Sequence, residues 1–330
     1  MRRRAANAAV VILALVAGAS GCGKAPESPP ADRRPPRPFT LALDFAPNAA
    51  HAGVYGARAA GTDRARGLSL RLRAPTASTD SLKLLASGRA DMSIADIHDL
   101  GLARERGDDL VGVGALVQRP LAAVIARPPV RRPRDLEGRR VGVAGLPSDD
   151  AVVRAVVEAD GGRVERIRRT TIGFSAVPAL VSGRVAAATA FWNAEGVALR
   201  QRGVPTREFR LGERAGVRYP ELVLVVRREL LERERPRVAA AVGALAAGTE
   251  IALRDPQPAL EEIARASSAR PRDVEAQFGA VRPALSPPVR LNRRALEAWA
   301  AFDQRYGILR ERPYLGRAFD LSIAGTRRAP

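Results

Sequence analysis

Short apolar segments alternate with amphipathic segments along this chain from residue 39 onwards. Brief apolar runs bounded by polar or turn-forming residues are typical of β-strands. The predicted strands cover residues 39–44, 68–72, 91–95, 110–116, 121–126, 141–144 and 223–226.

Helices are predicted between and after these strands, each framed by residues that start or stop a helix. Residues 80–86 form a predicted helix that ends at Gly88. Ser148 is the predicted cap of a helix over 149–159, which Gly161 ends. Further helices are predicted from a cap at Asp255 to 264, over 271–281, and over 293–306 behind a cap at Asn292. Alternation of strands and helices predicts an α/β fold with mostly parallel sheets.

A weak internal repeat divides this fold. Residues 84–96 and 179–191 both show a helix, a Ser-Gly-Arg stop and an apolar strand. Ligands of open α/β sheets bind at the carboxyl ends of strands, so Asp96 is expected to face Phe191 and Trp192 across a cleft. The alternative is that helix–glycine–strand units are common and the repeat is coincidental.

Two α/β lobes are therefore predicted, joined by a hinge at which the chain crosses twice. The first lobe comprises residues 39–126 and 222–330, and the second comprises 127–221. Two crossings allow the lobes to close around a ligand.

The amino terminus has the layout of an exported lipoprotein. Residues 1–21 are a predicted signal peptide, in which arginines at 2–4 precede an apolar run over 8–19. Small residues then precede Cys22, as in a bacterial lipobox, so Cys22 is the predicted lipidation site. The alternative is an incidental cysteine in an ordinary signal peptide. Residues 22–38 are rich in Pro, Ala and Arg and are predicted to be a tether.

Composition excludes several functional classes. Cys22 is the single cysteine, so no internal disulfide or thiolate metal site is expected. Two histidines, His51 and His98, are too few for a histidine metal cluster. The formal charge is +19, but arginines are scattered through every segment and aromatic residues are few. Nucleic-acid binding is therefore disfavoured.

Residues 43–55, Leu-Asp-Phe-Ala-Pro-Asn-Ala-Ala-His-Ala-Gly-Val-Tyr, concentrate polar and aromatic side chains at one strand-to-helix junction. This pattern indicates a surface for a small, flat, hydrogen-bonding ligand. Together with the segments 87–91, 191–196 and 219–224, it resembles the NMT1/THI5-like family. The resemblance implies a periplasmic-binding-protein-like (type II) fold and capture of a thiamine pyrimidine precursor for an ABC transporter.

The expected site follows from the chemistry of an aminopyrimidine. Its exocyclic amine and protonated ring nitrogen can both donate to one carboxylate, and Asp44 and Glu195 are the candidates. Aromatic rings can sandwich the pyrimidine. The ten candidate binding residues are Asp44, Phe45, Asn48, His51, Tyr55, Asp96, Trp192, Asn193, Glu195 and Tyr219. Structural alternatives remain: Asp44 and Glu195 as caps, and Phe45, Tyr55 and Tyr219 as core residues.

Other functions stay open at this point. Riboflavin, nitrate or an alkanesulfonate could be the ligand of the same fold, although Asp149 and Asp150 in a helix first turn disfavour an anion. Fungal relatives in the family synthesise the pyrimidine and use up a histidine of this motif as the donor, which would be His51 here. Such a synthase is disfavoured because those enzymes carry a cysteine-rich iron-binding motif, whereas this chain has a single cysteine and an export signal. A third hypothesis is a sensor lipoprotein that works without a transporter. We expect a monomeric binding protein without catalysis, cofactor or metal, held by its lipid outside the cytoplasmic membrane beside a permease and its ATPase.

Overall fold

A computed structural model of the chain describes residues 35–75 and 80–323. The predicted signal peptide, the lipidation site Cys22 and residues 22–34 of the predicted tether lie outside the described residues. The tether prediction is wrong at its carboxyl end, because the first strand already begins at Arg37.

The secondary structure alternates as the apolar pattern predicted. The strands are β1 (Arg37–Ala42), β2 (Leu68–Arg73), β3 (Met92–Asp96), β4 (Leu110–Val117), β5 (Ala122–Ala126), β6 (Arg140–Val143), β7 (Arg168–Thr171), β8 (Ala187–Phe191), β9 (Arg207–Arg210) and β10 (Leu222–Arg227). The α-helices are α1 (Ala52–Ala59), α2 (Asp80–Ala86), α3 (Ile97–Glu105), α4 (Pro147–Glu158), α5 (Ala176–Val181), α6 (Glu195–Gln201), α7 (Leu211–Arg214), α8 (Arg228–Arg233), α9 (Arg235–Arg254), α10 (Gln257–Ser267), α11 (Pro271–Val281), α12 (Arg293–Arg305) and α13 (Leu315–Ala318).

The strands form two five-stranded sheets of matching design. The first has the order β2-β1-β3-β10-β4 and the second has the order β7-β6-β8-β5-β9. In the first sheet β1 pairs in parallel with β2 and β3, while β10 is antiparallel to its neighbours. In the second sheet β6 pairs in parallel with β7 and β8, while β5 is antiparallel. Each lobe thus carries one antiparallel strand, which enters at a chain crossing.

The first crossing lies earlier than predicted. Strand β5 pairs with β8 and β9 of the second sheet, so the predicted assignment of residues 121–126 to the first lobe is wrong. The apolar run did predict a strand there, but it could not reveal which sheet completes its hydrogen bonds. The second crossing leads into β10, which returns to the first sheet as expected.

Two predicted helix starts are also wrong. Helix α4 begins at Pro147, which places Ser148 inside its first turn, and Asp149 accepts hydrogen bonds from the backbone N–H groups of Gly145 and Leu146. Helix α10 begins at Gln257 rather than directly after Asp255. The cap at Asn292 is confirmed: its side chain accepts a hydrogen bond from Ala295 N at 3.1 Å.

Helix α9 forms the back of the first lobe against α1. A Cβ atom at Gly248 would lie 2.4 Å from both Ala57 N and Gly53 O, so glycine permits this close approach of two helices. Among the described helices, α9 alone is long and apolar enough to cross a membrane by length and composition. Its apolar residues are used here for packing in a core, with Val238, Ala241 and Leu245 fully buried.

Candidate functional site

A cavity of about 140 Å³ opens between the carboxyl ends of the parallel strands of the two sheets. The first lobe supplies the loop after β1, the end of β3 and the start of α3. The second lobe supplies the segments that follow β6, β7 and β8. The lining residues are Asp44, Phe45, Asn48, Ser81, Asp96, His98, Asp99, Ala122, Ala144, Leu146, Ser148, Asp149, Val152, Gly173, Phe174, Ala176, Thr189, Ala190, Phe191, Ala194, Glu195, Glu221 and Leu222.

The internal repeat places one residue from each lobe at this cavity. Asp96 is the last residue of β3, and Phe191 is the last residue of β8. Both line the cavity, as the repeat predicted. Trp192 does not: its ring is buried behind the wall, where Nε1 donates a hydrogen bond to Pro120 O at 3.1 Å.

The opening motif presents Asp44, Phe45 and Asn48 to the cavity. Asn48 holds the local turn, because its Oδ1 accepts a hydrogen bond from Ala50 N at 2.9 Å. His51 is fully buried beneath this turn and its Nε2 lies 2.8 Å from Asp44 Oδ1. Since Asn48 N donates to His51 Nδ1, the network assigns the ring proton to Nε2, which donates to Asp44. His51 therefore positions a cavity carboxylate rather than lining the cavity itself.

The second lobe contributes two further carboxylates. Glu195 is the first residue of α6, and its Oε2 accepts a hydrogen bond from Phe191 N at 3.1 Å. Asp149 lies in the first turn of α4, and its Oδ1 accepts a hydrogen bond from the Thr189 hydroxyl at 2.7 Å. Both side chains are thus fixed by the ends of neighbouring elements, which holds the two carboxyl groups at the cavity wall.

Glu221 connects the cavity with the hinge. It lies just before β10 on the second crossing, and it is 1% exposed. Its Oε2 accepts a hydrogen bond from Leu121 N, on the first crossing, at 2.8 Å. One cavity carboxylate therefore joins the two segments that link the lobes.

Burial controls the protonation of these acids. Burial, opposed by His98, raises the pKa of Asp96 to about 7. Burial and the neighbouring Asp96 raise the pKa of Asp99 to about 7. Burial likewise raises the pKa of Glu221 to about 7, and burial raises the pKa of Glu195 above its ordinary value. Asp96, Asp99 and Glu221 therefore gain or lose a proton near pH 7, so a donor group that enters the cavity can shift them towards the ionised form.

His98 supplies the positive charge beside these acids. Its Nδ1 lies 2.5 Å from Asp303 Oδ1, and its Nε2 lies 3.0 Å from the Tyr219 hydroxyl. Burial alone would lower the pKa of His98, but the charges of Asp303 and Asp96 raise it to about 10. Tyr219, a predicted ligand residue, is fully buried in this network behind the cavity wall.

The remaining predicted residues also lie outside the lining. Tyr55 is in the core of the first lobe at 3% exposure, in agreement with the alternative prediction that it is a core residue. Asn193 is 1% exposed and does not line the cavity. Of the ten predicted residues, the structure brings together Asp44, Phe45, Asn48, Asp96 and Glu195.

Sequence reasoning missed several lining residues. Asp99 follows Asp96 by three residues, which puts both acids on one side of the first turn of α3. Glu221 lies within a segment that carried the family resemblance, and only the position of the crossing reveals its role. Phe174 follows β7, a strand that was not predicted because its residues, Arg168–Thr171, contain no apolar side chain.

The lining has a marked charge bias. Its carboxylates are Asp44, Asp96, Asp99, Asp149, Glu195 and Glu221. Among the residues that the structure describes, His98 is its one basic residue and neither arginine nor lysine lines it. The lining is therefore mainly acidic in composition, whereas the whole chain has a formal charge of +19. Within residues 35–75 and 80–323, no three His, Cys, Asp or Glu side chains are arranged to hold a metal ion.

Solved structures are similar to this fold. The periplasmic aliphatic sulphonate binding protein SsuA from Escherichia coli superposes with a TM-score of 0.70 over 86% of this chain and 91% of its own, at 14% identity. That identity shows the fold alone. The periplasmic-binding-protein fold with two α/β lobes, expected from the sequence, is confirmed.

Relatives found by sequence are more similar to this chain than these solved structures are. A formylaminopyrimidine-binding protein of Halalkalibacterium halodurans is 32% identical over 224 residues, which are 67% of this chain and 68% of the relative. The 4-amino-5-hydroxymethyl-2-methylpyrimidine phosphate synthase THI5 of Saccharomyces cerevisiae is 29% identical over 111 residues, 32% of each chain.

The family comparison covers most of the cavity lining, although it begins after Asp44 and Phe45. A family model described as NMT1/THI5 like matches residues 48–259. This range includes Asn48, both copies of the internal repeat, Glu195 and both chain crossings. Because the match extends over more than half of the sequence, the chain belongs to the NMT1/THI5-like family.

Proposed function

We propose that this protein is the extracytoplasmic substrate-binding component of an ABC importer, and that it captures a thiamine pyrimidine precursor between its lobes. The observation that carries the proposal is the acidic lining of the interlobe cavity. A chain that is 32% identical to a formylaminopyrimidine-binding protein has carboxylates and aromatic rings at the carboxyl ends of both sheets. No arginine or lysine within residues 35–75 and 80–323 lines this cavity.

The chemistry of an aminopyrimidine matches this lining. Its amine and protonated ring nitrogen offer two parallel donors, which one carboxylate accepts in paired geometry. We assign this role to Glu195, with Asp44 as the acceptor on the opposite lobe. Phe45 and Phe191 provide aromatic faces for the ring. Hydroxymethylpyrimidine and formylaminopyrimidine both present these donors.

The same features disfavour the alternative ligands. Nitrate or a sulfonate would enter a cavity whose charged groups are mainly carboxylates, where repulsion opposes binding. A volume of about 140 Å³ lies below the range of about 300–1,000 Å³ typical of drug-sized ligands. It suits a single ring better than the three fused rings of riboflavin.

The position of His51 supports binding rather than synthesis. A histidine consumed as a donor must reach the reacting pyrimidine. Here the imidazole is fully buried and both ring nitrogens are engaged, one with Asp44 and one with Asn48 N. We therefore propose a binding protein without a catalytic step at this histidine.

Titration calorimetry of the chain from residue 23 onwards tests the ligand. We expect saturable binding of formylaminopyrimidine or hydroxymethylpyrimidine, and no binding of nitrate, taurine, riboflavin or a phosphorylated pyrimidine at matched concentrations. The phosphorylated compound is the matched control, since it keeps the ring and adds a negatively charged phosphate group. Binding of an anion without binding of either unphosphorylated pyrimidine would contradict the proposal.

Export and anchoring are proposed from the amino-terminal sequence. We propose that Cys22 is lipidated and that the protein acts as a monomer outside the cytoplasmic membrane, next to a permease and its ATPase. Metabolic labelling with a fatty acid is expected to mark the wild type, found in the membrane fraction, but not Cys22→Ser. Equal labelling of the two proteins would contradict the assignment.

A further inference from the structure

Phe174 is an aromatic side chain in an unusual place. It lies in the loop between β7 and α5, directly after Gly173, and 47% of it is exposed. Among the described residues, the other large apolar side chains with such exposure are Val181 and Tyr314. Phe174 differs from these two because it also lines the interlobe cavity. A side chain that is exposed and also lines a cavity stands at the rim of that cavity.

The partner of Phe174 belongs to the opposite lobe. Its ring centroid lies 4.7 Å from that of Phe45, with the two ring planes at 84°. This is the edge-to-face arrangement that aromatic pairs favour. Phe45 belongs to the loop after β1 of the first sheet, and Phe174 follows β7 of the second. The contact therefore exists only while the lobes are close together.

From this geometry we propose that Phe174 is the closing residue of the cleft. Phe174 belongs to the second lobe, and its ring covers a bound planar ligand. Its contact with Phe45 keeps the two lobes together at the rim of the cavity and so retains the ligand. The proposal rests on the interlobe cavity being the ligand site, as argued above. It does not require that the ligand be a pyrimidine, because the contact with Phe45 joins the lobes whatever the cavity contains.

The chemistry assigns a kinetic role to the pair. Separation of the lobes breaks the contact between the two rings. Removal of the Phe174 ring therefore favours the open form, and it leaves the carboxylates of the cavity unchanged. An interaction present only in the closed form slows dissociation more than it speeds association. Phe174→Ala is therefore expected to raise the dissociation rate about threefold to tenfold, with an association rate close to that of the wild type.

Stopped-flow measurements with hydroxymethylpyrimidine and formylaminopyrimidine test this expectation. Phe174→Tyr keeps the ring and is expected to dissociate at nearly the wild-type rate. Val181→Ala is the matched control, because Val181 is equally exposed and lies on the same lobe but does not line the cavity. Unchanged dissociation in Phe174→Ala would overturn the proposal.

Small-angle X-ray scattering of the ligand-free proteins gives a second readout that needs no ligand. Phe174→Ala is expected to have a larger radius of gyration than the wild type and Phe174→Tyr. If neither pyrimidine binds, the function proposed above fails, and scattering alone then decides the role of Phe174. Equal radii in the wild type and Phe174→Ala would in that case overturn the proposal.

Discussion

Asp303→Asn is expected to lower the free energy of unfolding by about 3–5 kcal/mol at pH 6, the usual effect of removing one partner of a buried ion pair. Asp303 is fully buried, and its Oδ1 lies 2.5 Å from Nδ1 of His98. The asparagine keeps the shape but leaves the imidazolium without its counter-charge. Urea denaturation followed by circular dichroism measures the loss.

The pH dependence identifies the ion pair as the cause. The pKa of His98 is raised from 6.5 to about 10 in the folded protein, so the stabilisation is complete below pH 6.5 and disappears as the pH rises towards 10. The difference between wild type and variant should therefore be constant up to about pH 6.5 and then shrink steadily towards pH 10. A difference that stays constant over this range would contradict the assignment to His98.

A surface aspartate provides the matched control. Asp273, in the first turn of α11, pairs at 2.7 Å with Arg270, which immediately precedes that helix, and the side chains of Asp273 and Arg270 are 22% and 57% exposed. Asp273→Asn is expected to cost less than about 1 kcal/mol, since exposed ion pairs contribute little. A similar small cost for Asp303→Asn would mean that the His98 pair adds no special stability.

Glu195→Gln is expected to weaken pyrimidine binding by about 10-fold to 150-fold. A hydrogen bond to a charged group contributes about 1.5–3 kcal/mol, and the amide replaces one acceptor oxygen with a donor. Glutamine keeps the shape and retains an oxygen that can accept from Phe191 N, as Glu195 does at 3.1 Å. Calorimetric titration with the pyrimidine that binds the wild type measures the change.

Glu229→Gln is the control for this experiment. Glu229 is 68% exposed on α8 and pairs with Arg233 at 2.9 Å, away from the cavity lining. The Glu229→Gln protein should bind the pyrimidine with wild-type affinity. Both Glu195→Gln and Glu229→Gln should have melting temperatures close to that of the wild type. If Glu195→Gln binds within twofold of the wild type, Glu195 is not the acceptor and its structural alternative, a cap of α6, is the better description.

The apolar pattern predicted β4 and β10 of the first sheet because their sequence leaves little choice. Every residue of β4 and nearly every residue of β10 is buried, so each reads as a continuous apolar run. The edge strand β7 reads Arg-Arg-Thr-Thr and is exposed or half-buried along its length, so no periodicity marks it. Its pairing with β6 supplies the stabilisation that its side chains do not.

The candidate site was predictable where a strand end or a motif fixes a side chain. Asp44, Asn48 and Asp96 fall at such positions, and all line the cavity. Trp192 and Tyr219 carry equally suitable chemistry, but they point into the protein, where Pro120 O and His98 engage their polar atoms. The direction of a side chain at the end of an element depends on packing against distant residues, which local sequence does not encode.

The sequence by itself determined the α/β alternation, the two-lobe repeat and the family, because burial periodicity, helix stops and motif residues are local properties of the chain. Only the tertiary structure decided which sheet takes β5, which five predicted residues reach the cavity, and that acids from both lobes and the hinge gather there. Phe45 and Phe174 are 129 residues apart and meet only because the two sheets direct their carboxyl ends at one cleft. Contacts between residues so far apart in sequence depend on how the lobes are arranged. The local sequence around each residue does not specify which distant residue it contacts.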